Sequence, residues 1–127
     1  MIPDQDRGLA PASFDARVVL EDGRPVVVVQ GEVDLATGEQ FEAVLAQAVA
    51  DGPRITVDLR DVTFLDSTGL VALVIAHNHL GQVPEAIVLR DAQPQVCKVL
   101  AISGIERFFT LETTRTTDTP PRQTEPR

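Results

Sequence analysis

Four consecutive residues, Asp66-Ser67-Thr68-Gly69, hold the best-placed chemistry in this sequence. An alternating run, Ile55 to Arg60, precedes them, and an apolar segment, Leu70 to Leu80, follows. The first pattern predicts a strand and the second a buried helix. The four residues then sit where a strand ends and a helix begins. Side-chain oxygens of Asp and Ser can accept from the unpaired N–H groups of a helix's first turn. The same helix end carries partial positive charge and tolerates an anion. Gly69 has no side chain and permits the close approach of another surface. A serine hydroxyl held there is placed to accept a phosphoryl group. The competing role is a plain N-cap, in which the hydroxyl is spent on the helix's own backbone.

Other reactive residue types are less well arranged. His77 and His79 lie two apart on the predicted helix and point to different faces, so they do not form an i, i+4 metal pair. Cys97 stands in no local motif and reads as a small core residue. No G-x-x-x-x-G-K-[ST] or G-x-G-x-x-G stretch is present to cradle a nucleotide. A Ser-His-Asp hydrolase lacks its G-x-S-x-G elbow, and both histidines lie on one helix, badly placed for a strand-end serine. Asp58 and Asp61 superficially suggest a phospho-accepting aspartate. That chemistry also needs an acidic pair for magnesium near the first strand and a lysine at a late strand end. The chain's one lysine, Lys98, falls on a predicted helix. No enzyme, metal site or cofactor is expected.

The totals agree with a binding role. At 127 residues, one domain is expected, large enough to bury a core without staples. Aromatics make up 4% of the chain, with no Trp or Tyr, which argues against stacking surfaces for single-stranded nucleic acid. The net charge of −8 opposes phosphate-backbone binding and favours basic protein partners. A single cysteine fits a reducing compartment. Met1 to Asp6 has neither the basic nor the apolar region of a signal peptide, and no apolar stretch approaches a membrane span. The expectation is a cytoplasmic protein that contacts neither nucleic acid nor membrane directly.

The elements that must position Ser67 follow from pattern. Phe14 to Leu20 alternates as a first strand. Asp22-Gly23 predicts a tight hairpin, and Pro25 opens the β-branched run Val26 to Val29. Thr37-Gly38-Glu39-Gln40 fits a capping box. The helix it starts carries an apolar stripe at Phe41, Val44, Leu45, Ala48 and Val49. Ala86 to Leu89 forms a fourth strand. Pro94 opens a third helix with Val96, Val99 and Leu100 on one face, and Gly104 closes it. Phe108, Phe109 and Leu111 make a last short strand or edge segment. Residues 1–12 read as a flexible lead-in, 13–112 as the domain and 113–127 as a disordered tail. Hairpin, helix, strand, helix, strand, helix, strand predicts an α/β fold with right-handed crossovers. The sheet should be mixed and four- to five-stranded, with an N-terminal β-hairpin and three to four helices mainly on one face.

Three segments resemble the STAS domain family, the sulphate transporter and anti-sigma factor antagonist domains. They are Gly31-Glu32-Val33-Asp34-Leu35-Ala36-Thr37, the longer Val57 to Leu70 run containing Asp66-Ser67-Thr68-Gly69, and Val96 to Ile105. More narrowly, the chain is similar to the stand-alone bacterial anti-sigma factor antagonists. Pro84 departs from the polar or glycine-rich turn frequent there. The resemblance implies that Ser67 is the phosphoacceptor. It implies that Asp34, Asp66, Thr68 and Gly69 share with it the surface that meets a partner. The implied partner is an anti-sigma factor that is also a serine kinase and supplies the ATP. Unphosphorylated protein binds it and frees a sigma factor. Phosphorylation breaks the complex, and a PP2C-type phosphatase resets it. The alternative is a STAS module that does not switch and serves as a scaffold in a transporter or a stress-sensing assembly.

Overall fold

The structure is a computed structural model that describes residues 14–114. The lead-in expected over 1–12, and the tail expected over 113–127 beyond its first two residues, lie outside the described residues. Five strands form one sheet in the order β1 (Asp15–Glu21), β2 (Arg24–Val33), β3 (Ile55–Leu65), β4 (Ile87–Arg90), β5 (Thr110–Glu112). The β1–β2 pair is an antiparallel hairpin, and every later pairing is parallel. Its turn uses Asp22 at φ 53° and Gly23 at φ 81°, the left-handed pair that the Asp-Gly dipeptide favours. Between the parallel strands run α1 (Gly38–Asp51), α2 (Ser67–His79) and α3 (Pro94–Ser103).

All three helices pack on one face. Pairing places Val27 beside Val57 and Val57 beside Leu89, and side chains two apart share a face. Val27, Val29, Ile55, Val57, Leu59, Ile87 and Leu89 thus form one apolar surface. Phe41, Leu45 and Ala48 of α1, Ala72, Leu73 and Ala76 of α2, and Val96 and Leu100 of α3 cover it in a single buried cluster. On the opposite face a row runs Arg17, Val28, Asp58, Arg90, Glu112. Arg90 grips both Glu21 carboxylate oxygens at 3.0 and 3.1 Å and reaches Asp58 at 3.1 Å. That hydrogen bond holds the Glu21 carboxyl below its ordinary range. It also raises Arg90, against the burial that disfavours its charge.

Several expectations need correction in detail. β3 runs to Leu65, five residues past the predicted Arg60. Thr37 stands before α1 but makes no side-chain cap, so the predicted capping box is absent. Its hydroxyl is already committed backward, donating to the Glu32 carbonyl at 2.7 Å. Cys97 is exposed rather than in the core. It follows Val96, and one helical step turns it off the buried face. Pro84 opens a short 3₁₀ turn, Pro84–Ala86, and a second, Ile105–Phe108, precedes β5.

Candidate functional site

The overhang of β3 builds the site. β4 stops pairing at Asp58, whereas β2 accompanies β3 as far as the Val33–Leu65 pair. Two irregularities, between Val28 and Gln30 and between Gly31 and Glu32, each shift the register by one residue, and Gly31 stands at φ 98°. The β3 edge that β4 leaves bare is met by side chains at the start of α3, from its N-cap Gln93 and from Gln95. Gln93 donates to the Arg60 carbonyl at 2.7 Å and Gln95 to the Thr63 carbonyl at 3.3 Å. Two of the carbonyls on the ribbon's bare edge are thereby paired.

At its tip the chain turns directly into α2. The Asp66 backbone N–H donates to the Val33 carbonyl at 3.1 Å, which ties the turn to β2. Asp66 is the N-cap, with extended backbone and a carboxylate that accepts from the Thr68 N–H at 2.8 Å. Ser67 is therefore the first helical residue and not the cap. It is exposed, and its hydroxyl has no hydrogen-bond partner among the described residues. Two candidate roles of the sequence are thus divided between neighbours. Asp66 satisfies the helix, and the Ser67 hydroxyl is left at the positive end of thirteen helical residues.

Asp34 comes to the same tip from β2. It directly follows Val33, whose carbonyl holds Asp66. Its carboxylate accepts from the N–H groups of Ala36 at 3.0 Å and Thr37 at 3.2 Å, folding the loop into a turn. Its own N–H donates to the Thr37 hydroxyl at 3.0 Å. The loop then meets α2 through glycine. A Cβ on Gly38 would lie 2.2 Å from the Thr68 methyl group. Asp34, Asp66, Ser67 and Thr68 are thus neighbours at one tip of the molecule.

Gly69 belongs beneath that surface. It is buried, and a Cβ there would fall 2.4 Å from a Leu65 methyl and 2.8 Å from a Val33 methyl. The close approach foreseen for Gly69 is made by the core. Three residues that sequence reasoning passed over stand in the same region: Leu35, Phe64 and Val71 are 83%, 47% and 55% exposed. One signal was available: Phe64 and Leu65 are adjacent apolar residues, which a strand turns to opposite faces. The register shift between Gly31 and Glu32 leaves Thr63 and Phe64 both exposed before buried Leu65.

A family model described as "Mlab, STAS domain" matches residues 16–113. The chain belongs to the STAS domain family. RsfB of Mycobacterium tuberculosis, named an anti-sigma-F factor antagonist, is 32% identical over 107 residues, covering 83% of this chain and 86% of RsfB. A solved anti-sigma factor antagonist from Mycobacterium paratuberculosis superposes with a TM-score of 0.74 at 32% identity, covering 85% of this STAS chain and 92% of that one. Phosphorylated SpoIIAA of Bacillus shares the STAS fold, with a TM-score of 0.59 at 21% identity and coverage of 83% and 96%. The sheet, hairpin and three helices are those of a STAS domain. Among the described residues no group of acidic, histidine or cysteine side chains could hold a metal ion, and no helix could cross a membrane.

Proposed function

We propose that this STAS domain is an anti-sigma factor antagonist whose binding is switched by phosphorylation of Ser67. One observation carries the reading: the Ser67 hydroxyl is exposed and unengaged, because Asp66 has taken the cap. The names of the relatives supply the partner class, an anti-sigma factor. That partner doubles as the serine kinase and brings the ATP. Asp34, Asp66, Ser67 and Thr68 form the contact surface, with Gly69 packed underneath. A PP2C-type phosphatase restores the binding form.

The physics of such a switch is asymmetric. Phosphate adds about −1.5 to −2 charge. At a helix N-terminus this stabilises by roughly 0.3–1 kcal/mol, so the fold tolerates it. Against a docked partner, misplaced charge costs several kcal/mol, which is ample to dissociate the complex. Phosphorylation changes association and leaves the fold in place.

The test is to mix the protein and its Ser67→Ala variant with candidate anti-sigma kinases and ATP. Binding and intact mass are followed together, with site mapping. One phosphate on wild type, none on the variant, and binding retained by the variant is the expected result. Stable binding with no phosphate on either would favour the scaffold role. Phosphate on Thr68 would keep the function and move the site.

A further inference from the structure

The opposite end of α2 carries a second feature. Val74, His77 and Asn78 follow the i, i+3, i+4 spacing of one helix face. With Gln82 and Phe108 they line a hollow of about 290 Å³. His77 lies ten residues along the helix from Ser67, about 15 Å at 1.5 Å per residue. The hollow is therefore separate from the phosphoacceptor surface.

Its polar groups are few and specifically arranged. After His79 the chain reverses through two left-handed residues, Gly81 at φ 86° and Gln82 at φ 62°. Glycine is ordinary in that conformation and glutamine is not. The turn is held by the Gln82 N–H donating to the His77 carbonyl at 3.0 Å. It brings the Gln82 side chain back onto α2, where its amide N–H donates to the Asn78 amide oxygen at 2.9 Å. Locked together, the two amides keep the Asn78 N–H₂ as donor and the Gln82 oxygen as acceptor. Beside them, His77 is 6% exposed, and its Nε2 is buried with no hydrogen-bond partner among the described residues. A buried polar atom without a partner is costly, and sites that tolerate one are uncommon. Its ring packs against Phe108 at 5.9 Å and edge-on to Phe109 at 5.4 Å.

We propose that this hollow is a binding site for a small, flat, uncharged heteroaromatic molecule carrying a donor and an acceptor on its edge. Flatness follows from the walls, a helix face on one side and the Phe108 ring on the other. Neutrality follows from the lining, which among the described residues contains no Asp, Glu, Lys or Arg. Small size follows from the volume, just below the roughly 300–1,000 Å³ of ligand pockets. The paired amides read the edge of the ring, and His77 lines the hollow beside them.

Benzimidazole is the probe, with one ring N–H and one ring acceptor nitrogen; indole, which lacks the acceptor, is its control. Both are titrated into the ¹⁵N-labelled full chain and followed by amide NMR. Benzimidazole should give saturable shifts at Val74, His77, Asn78, Gln82 and Phe108, with indole at least fivefold weaker. Gln82→Gly should weaken benzimidazole at least tenfold while keeping the amide spectrum of the folded chain, because glycine suits φ 62°. The absence of saturation at millimolar benzimidazole would overturn the proposal. So would equal affinity in the Gln82→Gly chain, or shifts centred on Ser67.

Discussion

Two clusters of the same residue types behave in opposite ways. Around Asp91, donors from three directions converge on one carboxylate. The carboxylate is buried and accepts from Arg60 at 3.0 Å, from the Thr114 N–H at 2.7 Å and from the Thr114 hydroxyl. Its N–H donates to the Glu112 carbonyl at 2.8 Å. Around Ser67, the aspartates are occupied in folding their own loops, and the hydroxyl is left over. An aspartate with a threonine makes a clasp in one place and an aspartate with a serine an available acceptor in the other. The difference lies in burial and in how many donors converge. A saturated cluster resists change, and a cluster with one spare hydroxyl can receive it.

The largest expected effect is on the spare hydroxyl. Ser67→Asp should weaken binding to the cognate anti-sigma factor by a hundredfold or more, about 3 kcal/mol. Circular dichroism should stay that of the wild type. Binding retained by Ser67→Asp in calorimetry would remove the functional distinction between the clusters. Next, Gly69→Ala should destabilise by about 2 kcal/mol in urea melts, since Val33 is stiff and Leu65 already fills the core. A neutral result would mean that the underside of the site yields.

Asp91→Asn comes close behind. Burial alone would raise the Asp91 carboxyl, but the Thr114 hydroxyl and N–H and the Arg60 guanidinium overcome this and hold it at about 2, against an ordinary 3.8. Its contribution to stability is complete above the ordinary value and fades as pH falls through the folded one, a span from 3.8 down to about 2. At neutral pH it is worth about 2 kcal/mol. The Asn variant should be weaker by that order at pH 7 and should approach the wild type near pH 2. Urea melts across that range decide it, and parallel curves would refute the clasp.

Asp66→Ala removes a cap and should cost about 1 kcal/mol. The smallest effect is Ser67→Ala, within about 0.5 kcal/mol of wild type, because nothing described leans on the hydroxyl. A loss as large as that of Asp66→Ala would return Ser67 to a structural role.

Much of this was legible in advance for identifiable reasons. The hairpin followed from Asp22-Gly23, because few residue pairs accept two positive φ angles. The end of α3 followed from Gly104, which sits at φ 81°. α1 followed from a stripe that the structure buries at Phe41, Leu45 and Ala48. The Thr37 box was misread because local pattern cannot show which neighbour competes for a side chain, and Cys97 because its residue type was weighed without the helical phase that turns it off the Val96 face. The overhang of β3 was also missed. Its last five residues break alternation, and its edge carbonyls are answered by Gln93 and Gln95, some thirty residues downstream.

By itself the sequence determined the order of elements, their types and the strand-to-helix junction at Ser67, because periodicity, turn residues and caps act over a few neighbours. Only the tertiary structure decided that Asp66 is the cap, that Gly69 faces the core, that Leu35, Phe64 and Val71 face outward beside the serine, and that Asp91 is saturated. Those outcomes depend on contacts between segments distant in sequence, such as the Val33 carbonyl that holds the Asp66 N–H. Pairing across the sheet and packing beneath it set that, and local pattern does not.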